Sequence, residues 1–249
     1  MPAKTDHTHL RLVSVPTSSG PLLLPYHVRR SKRARFIRVS LDVRNHALLT
    51  LPQRASLREG MDFLRSQGDW LDRSLRSAPR PFTLSEWLER KPRLSAFGKS
   101  LRLRFAHSDH RPDFRLYEES RTVAFLVAND ETYDENVLKV CRQFAKEVLT
   151  ARTLQLAIQH RLHPRRITVR NQRTRWGSCS GNKTISLNWR LVLLSPRLQD
   201  YVILHELAHL REMNHSDAFW AALRELDPRA RQNDRALTLQ QTPLMALGR

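Results

Sequence analysis

Cysteine is nearly absent: the 249 residues contain only Cys141 and Cys179. A disulfide framework and a cysteine-rich zinc module are both excluded, and a reducing cytoplasm is the expected compartment. Long apolar runs are missing too. Leu22, Leu23 and Leu24 are bracketed by Pro21 and Pro25 and are too few for the core of a secretion signal. No stretch approaches the roughly 20 apolar residues that cross a bilayer, so a soluble protein without a membrane partner is expected. Acidic residues are in short supply: 24 Asp and Glu stand against 43 Lys and Arg, giving a net charge of +19 and a pI near 11.3. That imbalance favours anionic partners such as nucleic acid or nucleotides. Arginines alternating with apolar residues on a strand are equally accounted for as its solvated face. No nucleic-acid-binding motif, internal repeat or low-complexity tract stands out.

What is present reads as an α+β protein of two domains, a division that this length allows. Residues 1–20 are polar and aperiodic, with Pro16 and the cluster Thr17, Ser18, Ser19, Gly20, and read as a disordered tail. Ile37, Val39 and Leu41 alternate with Arg38, Ser40 and Asp42, and Leu49 and Leu51 follow the Arg44, Asn45, His46 turn, which predicts a half-exposed hairpin. Ser56 and Glu59 form a capping box before Leu57, Met61, Leu64, Leu71 and Leu75, predicting one amphipathic helix over about residues 57–76. Strands are predicted around Leu101 to Phe105 and Val123 to Val127, so residues 21–133 form a β-rich N-terminal domain with one helix. A second domain, residues 134–249, opens on a long helix that ends before Pro164. Strands near Ile167 and Ile185 flank a turn-rich segment from Gly177 to Lys183, and Pro196 leads into another helix.

That last helix carries His205-Glu206-Leu207-Ala208-His209. Residues four apart share a helix face, so His205 and His209 can chelate one ion, and Glu206 beside them suits a general base. A catalytic zinc site takes three protein ligands and leaves one position open. His215 is the expected third ligand, with Asn214 in a left-handed conformation turning the chain back. Glu225, on the helix starting near Ser216, is the rival. It falls between Leu223 and Leu226, on the exposed side of an amphipathic pattern. The histidine spacing equals that of metzincins, but Glu212 replaces their glycine and no Met turn follows.

Several segments together resemble one family, the YgjP-like metallopeptidases: Arg173-Thr174-Arg175-Trp176-Gly177-Ser178-Cys179-Ser180, Ile185-Ser186-Leu187-Asn188, Asp200 through His209, Asn214-His215-Ser216 and Phe219-Trp220. The Arg29 to Arg35 and Pro52 to Trp70 regions resemble its N-terminal part. The resemblance implies a minimal zincin-like catalytic domain in the C-terminal half and kinship with SprT-like proteases that act on DNA-bound proteins. Some members are described as nucleoside-triphosphate pyrophosphatases, which keeps nucleotide hydrolysis as an alternative.

The expected reaction is hydrolysis of a peptide bond in a peptide or protein substrate, with one zinc ion per chain. The strand from Ile185 to Trp189 is the candidate edge for pairing with an extended substrate. Asn188 is a candidate hydrogen-bond partner for it, Arg173 and Arg175 for an oxyanion or a phosphate, and Trp176 for the cleft wall, although core packing explains Trp176 as well. Cys179 is expected to be structural, since a fourth protein ligand would close the open position. A nucleic-acid-binding module with a vestigial site is the other alternative.

Overall fold

The computed structural model describes residues 11–42, 45–78 and 83–248, the side chains of residues 240–243 excepted. The chain divides into two compact units, Met1–Phe82 and Thr83–Arg249. Helices and mixed sheets occur together, as the α+β class requires. Among the described residues no helix is long and apolar enough to cross a membrane.

In the first unit, β1 (Arg11–Thr17), β2 (Gly20–Ser31), β3 (Arg38–Leu41) and β4 (Ala47–Pro52) form a sheet of order β1-β2-β4-β3. The β1/β2 and β3/β4 pairs are antiparallel and β2/β4 is parallel. The supposed tail is therefore a strand from Arg11 onward, and its Thr17 to Gly20 cluster is a hairpin turn. Val13 and Val15 are buried there against Leu24, Leu64 and Leu71, a two-point alternation hidden by Pro16 and the polar turn. Residues 1–10 of that expectation lie outside the described residues. The capping box of Ser56 and Glu59 starts α1 (Leu57–Ser66) as expected, but the helix breaks at Gln67 and resumes as α2 (Gly68–Ser77). The carbonyl of Pro16 comes so close at this junction that a Cβ on Gly68 would lie 1.8 Å from it. Only glycine lets β1 pack there.

In the second unit, a capping box of Thr83 and Glu86 starts α3 (Leu84–Arg90). Strands β5 (Arg93–Ala96), β6 (Lys99–His107), β7 (Asp113–Tyr117) and β8 (Thr122–Val127) form a sheet of order β5-β6-β8-β7. The long helix α4 (Tyr133–Gln159) packs its apolar stripe on this sheet, with Phe144 edge-on to Phe114 and Phe125 at 5.4 and 6.2 Å. These strands thus share one core with α4, and the division of the chain falls at residues 82/83 instead of the expected 133/134. The change of pattern at Asp134 marks a helix start inside a unit.

The third sheet has the order β10-β11-β9, from β9 (Arg166–Arg170), β10 (Gly177–Cys179) and β11 (Thr184–Asn188). A 3-10 turn, Trp189–Leu193, leads into α5 (Pro196–Ala208), followed by α6 (Asp217–Leu226) and α7 (Ala230–Ala246). Helix α5 is buried on almost every side. Arg152 of α4 grips Asp200 of α5 with two hydrogen bonds, Nε to Oδ1 at 2.8 Å and Nη2 to Oδ2 at 2.6 Å, a paired geometry that fixes the angle between helices as well as their distance. Arg190 is fully buried: it donates to the Leu247 carbonyl and Asn171 Oδ1 and lies under the Trp189 ring, tying the end of α7 to the loop before β10.

Candidate metal centre

Helix α5 begins with a Ser195 cap that accepts from Leu198 N and has Pro196 in its first turn, and it ends with His209 as C-cap. His205 and His209 sit one turn apart at that C-terminal end. The chain then coils tightly, with Leu210 N bonded to Leu207 O and Arg211 N and Glu212 N both bonded to Ala208 O. Asn214 is not among the left-handed residues of the described chain. The return is made instead by this coil and by the Ser216 cap of α6, whose side chain accepts from Phe219 N. His215 is thereby brought over α5. One ligand atom from each of His205, His209 and His215 lies within 4.8 Å of the others, and the Nε2 atoms of His205 and His215 are 3.0 Å apart.

The three rings are fixed by their neighbours. His209 Nδ1 lies 2.9 Å from the Glu212 carbonyl; it meets that oxygen only as a donor, which leaves a lone pair on Nε2. Phe219, fully buried, touches all three imidazoles, stacked on His209 at 4.5 Å and edge-on to His205 and His215 at 4.9 and 4.7 Å. Burial, helped by the two neighbouring histidines, pushes His205 down to about 3, and burial also lowers His209. Both are therefore neutral near pH 7, the form that binds a metal. Zn–N bonds of about 2.0–2.1 Å give a tetrahedral edge of roughly 3.3 Å, close to the observed nitrogen separation. Three converging imidazoles, each with a ring nitrogen within 4.8 Å of the others, fit a divalent ion. Glu225 lies outside this cluster: it is exposed and paired with Arg211 at 2.8 Å.

Glu206 is 6% exposed beside the imidazoles. Burial raises its carboxyl to about 8, against the opposing pull of the Arg175 guanidinium. Its carboxyl rests against the backbone of β10: a Cβ on Gly177 would stand 2.5 Å from Glu206 Oε1 and 2.6 Å from its Cγ. Gly177 is thus a site residue that sequence reading gave no role. The signal available was a glycine directly before a Ser-Cys pair in a turn-rich stretch, which does not by itself name its neighbour.

The other expected site residues separate into two groups. Arg173 and Arg175 are exposed on the loop before β10. Trp176 is buried in the core, with no partner for its Nε1 among the described residues. Asn188 is 0% exposed. Its Nδ2 donates to the carbonyls of Gln172 and Arg175 at 2.9 and 3.0 Å, and its Oδ1 accepts from Arg190 N at 3.2 Å. It braces the arginine loop and has no surface to offer a substrate. The strand carrying it, β11, lies between β10 and β9, so the edge nearest Glu206 is β10. Cys179, on that edge, is half-buried, and burial and the Glu206 carboxylate raise its thiol pKa.

The family model described as YgjP-like, metallopeptidase domain, matches residues 35–240. Among solved structures, the metallopeptidase zymogen jannalysin of Methanocaldococcus jannaschii is 22% identical, over 37% of this chain and 95% of that one, with a TM-score of 0.33. The metallopeptidase zymogen abylysin of Pyrococcus abyssi is 25% identical, over 42% of this chain and 95% of that one, with a TM-score of 0.29. Both scores are too low to transfer geometry. No curated protein matches the chain. The chain belongs to the YgjP-like family, whose metallopeptidase domain covers most of it, and is a metal-dependent hydrolase.

Proposed function

We propose that the chain is a zinc-dependent peptidase in which His205, His209 and His215 hold the ion and Glu206 moves the proton. The observation that carries this is the convergence of three imidazoles with a buried carboxyl next to them. When bound, zinc supplies Lewis acidity and added positive charge, which polarises a carbonyl and favours the ionised form of a neighbouring carboxylate. Glu206 then takes a proton from the attacking water at its carboxylate and returns it to the leaving amine. Gly177 leaves room for that carboxylate. The β10 edge offers backbone groups to an extended peptide, which is bound by strand addition. Arg175, exposed on the preceding loop and electrostatically coupled to Glu206, sets positive charge beside the base, and Arg173 adds to it.

Zinc content and turnover, measured on the same preparations, test the reading. Each of His205→Ala, His209→Ala and His215→Ala is expected to lose one zinc ion relative to wild type. Glu206→Gln is expected to keep it while turnover falls by about 10²-fold or more. Retention in His215→Ala with loss in Glu225→Ala would overturn the ligand set. Loss of metal from Glu206→Gln would make that residue a ligand.

A second property, binding of a phosphate-bearing polymer such as nucleic acid, is favoured by a cavity of about 390 Å³ in the first unit, lined by Arg29, Arg33, Arg35, Arg38 and Phe36. Phe36 is 81% exposed. An exposed ring among guanidinium groups combines stacking on bases with charge on phosphates.

A further inference from the structure

A second group of metal-ligating side chains lies in the first unit, made by strand register. His27 on β2 pairs with Leu48 on β4. His46 precedes Leu48 by two residues and therefore points to the same face of the sheet. Asp42 continues the β3/β4 ladder opposite His46, its N–H donating to the His46 carbonyl at 2.9 Å. All three side chains thus stand on the face opposite the one that buries Ala47, Leu49 and Leu51.

We propose that His27, Asp42 and His46 form a second divalent-cation site, of zinc type, in addition to the one zinc expected at α5. His27 Nε2 and His46 Nδ1 are 3.3 Å apart, the edge of roughly 3.3 Å spanned by two nitrogens on one tetrahedral zinc. His46 Nδ1 lies 3.9 Å from Asp42 Oδ2, and one ligand atom from each residue falls within 4.8 Å of the others. The three residues are partly buried, neither locked in the core nor loose at the surface. The other Asp42 oxygen, Oδ1, accepts from His46 N at 3.0 Å, which fixes the carboxylate as an outer-shell bond fixes a metal ligand. The turn itself is set by backbone, with Asn45 at φ 61 and its N–H donating to Asp42 O at 3.0 Å. Two imidazoles and one carboxylate are a ligand set that zinc accepts, with a position left for water or an anionic group. An ion here ties β2 to the β3–β4 turn, so zinc binding stabilises the first unit by mass action.

The full chain decides between this site and a plain imidazole–imidazole hydrogen bond. With the α5 centre removed in His205→Ala/His209→Ala, the protein is expected to retain about one zinc ion and to show visible d–d absorption with cobalt in its place. Adding His27→Gln and His46→Gln is expected to abolish both signals. In the otherwise wild-type chain, His27→Gln/His46→Gln is expected to lower zinc from about two to about one per chain with peptide turnover retained. A His205→Ala/His209→Ala chain that binds neither zinc nor cobalt, or a zinc count unchanged by His27→Gln/His46→Gln, would overturn the proposal.

Discussion

Glu206 and Gly177 meet so closely that no side chain fits between them, which sets a glycine distant in sequence against the proposed base. A methyl group at 177 would occupy the space 2.5 Å from Glu206 Oε1, and the carboxylate, the mobile partner, must swing away. Gly177→Ala is therefore expected to keep its zinc and lose activity by about 10²-fold, the usual scale for displacing a catalytic group by about 1 Å. Steady-state kinetics with metal analysis on the same sample check this, and unchanged turnover would separate Glu206 from the chemistry. At this scale the sequence was readable where chemistry follows from spacing. His205 and His209 share a helix face by periodicity alone, and His215 is brought to them. It was not readable where contacts are made across the fold. Asn188 has the side chain of a substrate ligand, yet its amide is consumed by the carbonyls of Gln172 and Arg175. Phe219, which the sequence showed as part of the family resemblance but with no role, proves to touch all three imidazoles.

Elements depend on neighbours that lie far along the chain, and this is where periodicity misled. Strand β11 has a clear two-residue alternation and was expected at the substrate edge, whereas it lies inside the sheet, and the edge beside it is β10, only three residues long and too short to show a pattern. A single helix over residues 57–76 satisfies the apolar spacing; it breaks at Gln67, beside the point where the Pro16 carbonyl of β1 occupies the place of a Gly68 side chain. Gly68→Ala sets a methyl against backbone that cannot rotate aside. It is expected to destabilise the first unit by about 1–3 kcal/mol, the cost of overpacking a tight site. Thermal unfolding of the full chain reads the shift, and an unaltered transition would mean that β1 does not pack on this junction.

For the whole molecule, composition carried one message and motif spacing another, and the two differ in worth. The excess of basic residues suggested polyanions without saying where. The fold gathers four of those arginines around one cavity with Phe36, while Arg30 is spent on the carbonyls of Pro52, Gln53 and Ala55. Binding of a single-stranded oligonucleotide is expected to weaken steeply with salt, with a slope of about −0.7 per phosphate neutralised. Arg33→Glu/Arg35→Glu should flatten that slope, as anisotropy titrations would show; no association at low salt would leave the charge a solvated face. The firmer message is the cluster of His205, His209 and His215, whose ligand atoms lie within 4.8 Å of one another. The most direct measurement is hydrolysis by the zinc-loaded full chain of a peptide library and, in parallel, of nucleoside triphosphates. Peptide cleavage that disappears with a chelator, returns with zinc and is absent from Glu206→Gln is the expected result. Zinc-dependent release of phosphate or pyrophosphate from nucleotides, with peptides untouched and Glu206→Gln fully active, would contradict it.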